Sequence, residues 1–512
     1  MNIKCLKTKI PNREERTYRF KSVFTYAIVF AFLHLLLLNF CLFAQTPAPF
    51  ERVWGSEFAA ERATSVLQIA DGSIYVSGYT DMGSEGGQDM SLCKFDANGN
   101  LLWTRYYGTA NNDVCNSMAL TNDGQLLLVG ATYIAENVIR AIIVKTDTDG
   151  NIILQKQPTS GAILEWLKAI EPTPDGGSIA IGSHTQPIGE PTNNFWLLKL
   201  DQNLNTIWSR TFGGMGNDIG NSVVPTTDGG YILAGDSQSF GGGLANVDIY
   251  VVKTNQNGSL SWDFIAGDEW ANGVQKIMQT PNGNYLLVGE TVIDSTGKFD
   301  IFIAQLDNTP QQVWRNDWGY QGTDAGFSVI ETPDQHLLIA GYSNSNTPEV
   351  NLPIDILLLE TDQNANELGV KYFAHPSIDI AYDVSPSVFD GYLLAGLSTE
   401  NNGQYYLAYT YAPTFVVANP QTTLQTTNAL YPNPVARQHP ATIRIRLEQP
   451  ASVTLSFCDA NGKLLCQQQS GVLHQAIHHL PIPQQAVQEK GMVFYTAYAG
   501  AKEIVKGAFV VE

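Results

Sequence analysis

The sequence predicts an all-β protein whose main body is a seven-bladed β-propeller. Three observations carry that expectation. Charged residues make up 15 % of the 512 positions and aromatic residues 10 %, and no long stretch rich in Ala, Glu, Lys and Leu is present; such a mix favours pleated sheet over helix. A tight-turn signature recurs at Asp71-Gly72, Asp123-Gly124, Asp175-Gly176, Asp228-Gly229, Asn282-Gly283, Asp334-Gln335 and Asp390-Gly391, in steps of 52 to 56 residues, a spacing that marks a repeat architecture. Each repeat holds four strand-like runs, as in NSVVPTT, YILAGDS, VDIYVVKT and SLSWDFIAG. Four antiparallel strands in that length make one blade.

Residues 1–44 stand apart from this pattern. Lys4, Lys7, Lys9, Arg13, Arg16, Arg19 and Lys21 precede the apolar run SVFTYAIVFAFLHLLLLNFCLFA. A basic region, an apolar region and a small residue before QTPAP read as a secretory signal peptide. A retained membrane anchor is the alternative, because the run is long enough to span a bilayer. The whole chain carries 49 acidic against 29 basic residues, and loss of this basic leader leaves a still more acidic body. Such a body repels phosphate backbones, which excludes nucleic acid as the expected partner.

The propeller is expected over residues 45–412. Strand-like runs one to three occur seven times, but nothing after Tyr411 offers a fourth strand to the last set. FERVWGSEF (50–58) does, since it matches the fourth-strand runs LLWTRYYG, TIWSRTFG and QVWRNDWG. The N-terminal strand is therefore expected to complete the last blade. On this reading the Gly-rich TFGGMGNDIG is a blade junction, because a phosphate-cradling loop needs a helix after it.

Residues 413–429 are polar and Thr-rich and read as a linker. Residues 430–512 then alternate as a small β-sandwich would. The motif YPNPV (Tyr431, Pro432, Asn433, Pro434), the hairpin CDANGKLL (Asp459, Asn461, Gly462, Lys463) and the closing run with Gly491 and Tyr495 resemble the C-terminal sorting domain of type IX secretion substrates of Bacteroidetes-type bacteria. That resemblance covers only 430–512. It implies Sec export, transfer across the outer membrane by the type IX machinery, and release or surface attachment after removal of the tail. The compact Gly-x-Tyr of the family is stretched here to GMVFY, which leaves the register of the last hairpin open. The repeat also resembles propellers that such substrates often carry, a looser likeness that names no activity.

Four cysteines, Cys93, Cys115, Cys458 and Cys466, lie beyond the leader, too few for a disulfide scaffold in this length. Whether Cys458 and Cys466 pair across their hairpin is open at the level of sequence.

Antiparallel alternation places the loops between strands two and three on the same face as the junctions between blades. TDMGSEGGQD, SHTQPIGEPTNN, DSQSFGGGLANV and YSNSNTPEVNLP are the variable members of that set, and long loops on a rigid scaffold are where binding resides. The junctions bring Asp113, Asp218, Asp324 and Asp379 to this face. They form either a ligand- or cation-binding carboxylate ring or a set of caps on backbone N–H groups where one blade enters the next. His184 and His375 lie on the same face as isolated candidates.

The recurring Trp54, Trp103, Trp208, Trp262 and Trp314 fit packing between blades better than a sugar-stacking platform. The turns DANGN and DTDGN are too short for calcium loops. No nucleophile elbow, zinc-binding helix or cofactor fingerprint is present. Together these features predict an exported, monomeric binding module for an extracellular polymer or protein, working without a cofactor. A glycan-active enzyme with two carboxylates on the variable face is the alternative.

Overall fold

The computed structural model describes residues 47–511 except 57–58, 83–86, 136, 186–191, 241–246, 268–271, 293–296, 320–321, 345–353, 374, 390, 401–402 and several stretches beyond 413. The expected signal peptide therefore lies outside the described residues, as do the centres of the four variable loops. The described chain is all β and propeller-like, with four-stranded antiparallel sheets as its unit.

Seven of these sheets fall within residues 50–410. In six of them the strands follow chain order, as in Asp218–Pro225, Tyr231–Ser237, Asp248–Thr254 and Leu260–Ala266. The seventh differs. Its strands Asp379–Pro386, Tyr392–Ser398 and Gln404–Thr410 are completed by Phe50–Trp54 from the other end of the chain, with Phe50 opposite Tyr409 and Trp54 opposite Tyr405.

The strand pattern follows from where each strand sits. Second and third strands are buried on both faces, so they read as continuous apolar runs such as YILAG and IYVV, whereas outer strands alternate. Apolar side chains gather between consecutive sheets. One cluster sets Ile181 and Phe195 against Leu233 and Val252, and another sets Val76 and Phe95 of the first sheet against Leu393 and Leu407 of the last. The outer-strand tryptophans pack on these clusters, Trp208 against Tyr231 and Trp262 against Tyr285, each with ring centroids 5.8 Å apart.

One local irregularity repeats in all seven sheets. The first strand bulges after its third or fourth residue, as between Gly220 and Ser222. The bulge pushes a carbonyl oxygen towards a glycine of the second strand. A Cβ on Gly78, Gly130, Gly182, Gly235, Gly289, Gly341 or Gly396 would lie 1.8–2.0 Å from that oxygen. Only glycine fits.

The tight turns are of the expected kind, with Gly124 at φ 78° and Gly229 at φ 84°, and Gln335 adopts φ 63° where other copies carry glycine. Lys199 and Lys253 reach back from the third strand to Asp175 and Asp228 of these turns, at 2.9 and 2.8 Å.

The C-terminal region contains two further sheets. One orders Leu464–Leu473, Ala451–Asp459, Gly491–Ala499 and Lys502–Val511. The other joins Thr442–Leu447 to Leu430–Tyr431, Ala476–Pro481 and Val417–Ala418, so a two-residue strand forms inside the expected linker. Cys458 and Cys466 are free thiols. Cys466 stands opposite Phe457 and Cys458 opposite Leu464, so the two are out of step across the hairpin. Gly491 opposite Val511 settles the register of the last hairpin.

Candidate functional site

The loops between strands two and three and the junctions between sheets do share a face, because hydrogen bonds tie them together. Asp113 donates its N–H to Gln88 O (2.6 Å), Gln238 to Asn217 O (2.8 Å) and Asp379 to Ile354 O (2.7 Å). Every first strand begins at this face. Asp113, Asp218, Asp324 and Asp379 are the opening or near-opening residues of four of them, opposite Thr132, Ser237, Ser343 and Ser398 of the second strands.

All four carboxylates are 0 % exposed. Asp218 accepts the Gly214 N–H (2.9 Å) and the hydroxyls of Ser239 (2.6 Å) and Ser237. Asp113 accepts both the N–H and the hydroxyl of Thr109 at 2.7 and 3.0 Å. Ser377 donates to Asp379. In each of these three cases the acid holds the junction that precedes it, which is the capping geometry expected of a buried carboxylate.

The same slot exists in the other three sheets, where Glu61, Glu165 and Asn272 fill it opposite Thr80, His184 and Thr291. Glu61 accepts the Ser56 N–H and the Thr80 hydroxyl; Glu165 accepts the Ser160 N–H and two hydroxyls. A search for repeated aspartate misses them. Spacing finds them, since the slot lies ten residues before the turn signature in six copies and eleven in the last.

A second set of acids backs this row from the third strands. The vacant Cβ position of Gly108 lies 2.7 Å from both Asp113 Oδ2 and Asp89 Oδ1, and that of Gly319 lies beside Asp300 and Asp324. Burial and then the Asp113 charge push the Asp89 carboxyl up to about 6. Asp218→Ala is expected to cost about 3 kcal/mol, because it strands one N–H and two hydroxyls in the interior; urea unfolding checks this, with Asp218→Asn losing less.

The two histidines are held by their surroundings. His184 is 7 % exposed, lies 5.8 Å from Trp196 in a stacked arrangement, and bridges Ser160 Oγ (2.7 Å) to Thr211 Oγ1 (3.0 Å). Burial lowers its pKa, against the pull of Glu165. His375 stands 3.4 Å from Asp379 Oδ2 and 3.4 Å from Glu51 Oε2 on the N-terminal strand.

The Asp379 contact, more than burial opposes it, raises the His375 pKa above 6.5. The charged imidazole therefore favours the folded state, fully below pH 6.5, and the contribution is lost as pH rises through the raised value. His375→Gln is expected to flatten the fall of Tm over that window, and scanning calorimetry across it reads the effect.

None of these groups lines the cavity bounded by the first strands. That cavity, about 570 Å³, is bounded by residues of all seven first strands, among them Arg62, Asn116, Lys168, Asn221, Gln275 and Tyr382. Arg62 lies over the rings of Tyr382 and Tyr79, at 4.7 and 5.8 Å from their centroids. Lys168 is exposed to the cavity, whose walls lower its pKa, while Asp236 offsets part of this and the charge of Arg62 adds to it.

Further along, burial raises the Glu171 pKa while Lys276 opposes the shift. Two carboxylates sit just behind the lining. Asp236 accepts from Asn221 Nδ2 and Val274 N, each at 3.0 Å, and Gln275 donates to Glu290. Burial takes Asp236 to about 6; burial and then the Asp236 charge take Glu290 to about 7.

Known proteins resemble the chain at the level of fold. Residues 69–101 match a family described as a β-propeller domain of unknown function (DUF5122). The match spans one turn and the second and third strands of one sheet. A search of curated proteins returned no match. Among solved structures, PorZ, a surface component of the type IX secretion system of Porphyromonas gingivalis, aligns with a TM-score of 0.41 and 13 % identity. That alignment covers 88 % of this chain and 59 % of PorZ, so the chain spans well under two thirds of PorZ's length.

A polysaccharide lyase of family 25, an ulvan lyase, aligns at TM-score 0.44 and 10 % identity over 71 % of this chain and 97 % of its own. The propeller domain of the trilobed protease from Pyrococcus furiosus gives 0.40 and 9 % over 70 % and 94 %. These likenesses assign no activity.

In the tail, Tyr431 pairs with Thr442 and Asp459 with Val493, while Tyr495 is 1 % exposed and lies opposite Phe457 and Gly507. Pro432, Asn433, Pro434, Asn461 and Gly462 lie outside the described residues.

Proposed function

We propose that the chain is an exported binding module: a seven-bladed propeller over 45–412, closed by its N-terminal strand and joined through 413–429 to a C-terminal sorting sandwich at 430–512. Removal of residues 1–44 and passage through the Sec and type IX machineries would deliver it to the cell surface or the medium. Its ligand is an extracellular polymer or protein.

The observation that carries this reading is the cavity bounded by all seven first strands, lined by both polar and apolar side chains, in a scaffold whose junction acids are committed to the fold. Asp113, Asp218, Asp324 and Asp379 then serve the site indirectly. They hold the junctions on which the variable loops rest, and His184 and His375 belong to the same support.

A glycan and matrix-protein array probed with the full chain tests the reading. Selective capture of one ligand class supports it. No capture at low salt, with the chain folded, would overturn it.

One observation favours the enzymatic alternative. Asp236 and Glu290 both approach the vacant Cβ position of Gly273, at 3.5 and 3.2 Å, with carboxyls near neutrality. Paired carboxylates of unequal pKa suit acid–base cleavage of a glycan. Turnover of a polysaccharide that Glu290→Gln abolishes would establish it; absence of turnover across a polysaccharide panel would remove it.

A further inference from the structure

We infer that the central cavity binds a carboxylated sugar, a uronate, and that Arg62 and Lys168 hold its carboxylate. The inference rests on the binding-module reading and assigns it a site and a ligand class.

The first argument concerns how the cations of this acidic chain are spent. Lys145, Lys199 and Lys253 pair with turn aspartates. Arg52 and Arg210 donate to backbone carbonyls, Arg140 does so beside Glu165, and Arg315 pairs with Asp317. Arg62 and Lys168 differ. Among the described residues neither donates a hydrogen bond nor enters an ion pair, and both line the cavity, as does Lys276, whose charge is set against that of Glu171.

Tyr382 and Tyr79 orient the Arg62 guanidinium through its faces, which leaves its edge of N–H donors unspent. Lys168 lines the same cavity, and the charge of Arg62 adds to the lowering of its pKa. The Arg62 guanidinium held over the two rings and the exposed Lys168 ammonium of the same lining together form a receptor for a carboxylate, which takes the guanidinium fork in two parallel bonds and neutralises the pair. Asp236 acts on Lys168 from a distance but makes no ion pair with it, and its oxygens accept from Asn221 and Val274.

The second argument concerns the uncharged members of the lining; of its two carboxylates, Asp383 accepts from Ser65, Val66 and Ser328, and Glu171 is opposed by the charge of Lys276. Asn116 spends its amide N–H on Leu167 O, Asn221 on Asp236 and Val274 O, and Gln275 on Glu290. Among the described residues the amide oxygens of all three accept no hydrogen bond, so the cavity presents a row of acceptors suited to hydroxyl groups. Phe327 and Tyr382, 5.2 Å apart, add ring surface at the same level. One anchored carboxylate, several hydroxyls and an apolar ring face describe a sugar acid. The volume lies within the ~300–1,000 Å³ of small-molecule sites.

Isothermal titration of the full chain at low salt tests this with glucuronate, glucose and inorganic sulfate as probes. Glucuronate is expected to bind at least about tenfold more tightly than glucose or sulfate, and Arg62→Gln or Lys168→Met to weaken it about tenfold or more. Arg62→Lys keeps the charge without the fork and is expected to fall between. Circular dichroism confirms that each variant is folded. For a variant that does not fold, a rise in the Tm of the unsubstituted chain with glucuronate but not glucose supplies the readout.

Equal binding of glucuronate and glucose, equal binding by the folded variants, or sulfate binding as tightly as glucuronate would each overturn the uronate site. If the chain captures a polymer on the array and Arg62→Gln still does so, the cavity assignment fails while the binding-module reading stands. If nothing binds in either experiment, both fail.

Discussion

Gly341→Ala is expected to be among the most damaging single substitutions in the protein, costing about 3 kcal/mol or more. The added Cβ would stand 1.8 Å from Ala325 O, with Gly326 Cα at 3.0 Å. Neither obstacle is the end of a flexible side chain. Both belong to the bulged first strand, so relief requires the bulge itself to move. Gly124→Ala supplies the contrast, since a Cβ there meets nothing within 4 Å and only the φ of 78° resists it. That change is expected to cost about 1–2 kcal/mol. Urea unfolding of the two variants side by side reads the difference, and equal midpoints would show that the close approach is not what demands glycine.

Deleting residues 50–54 is expected to remove the cooperative unfolding transition. Trp54 stacks on Tyr405 at 5.1 Å and meets the edge of Phe95 at 4.8 Å, which ties the first sheet to the last. Phe50 stacks on Tyr409, and Tyr406 donates to Glu51 at 3.1 Å. Without the strand, Gln404–Thr410 becomes an open edge, and open edges of this apolar kind pair with other chains. Light scattering should show association, and hydrogen exchange should show lost protection over 404–410. A truncated chain that stays monodisperse and unfolds in one sharp step would mean that the closing strand contributes little.

The parts of the fold written in local chemistry were legible in the sequence. Asp-Gly turns at a regular interval mark hairpins because few residues accept positive φ, and the buried second and third strands announce themselves as apolar runs. The match between FERVW and the other outer strands predicted a pairing that links opposite ends of the chain. The candidate site was less legible. Its four aspartates were found, but Glu61, Glu165 and Asn272 occupy the same slot with other side chains, so identity misled where spacing would have served.

The cavity left still less trace. The level that carries Lys168 carries Thr64 in one sheet, Tyr382 in another and asparagine in two, so no single letter marks it. Only the register of seven separate strands brings these residues together. The cysteine question needed the same information, because one residue of slippage at the bulge between Phe457 and Cys458 decides which thiol faces which neighbour.

The closing strand also sets a clock. Glu51 and Tyr406 stand 355 positions apart in the chain, and ribosomes add roughly 5–20 residues each second. The strand at 50–54 is therefore made roughly 20–70 s before its partner exists. Through that interval the first sheet has an apolar face with nothing to cover it, and its covering cannot be supplied by any nearer segment. The entropy of bringing such distant ends together grows only with the logarithm of their separation, so the delay lies in synthesis and not in the search. A chain built this way reaches its native state only after its last sheet has emerged, and a partner that must meet it unfolded has that whole interval in which to do so.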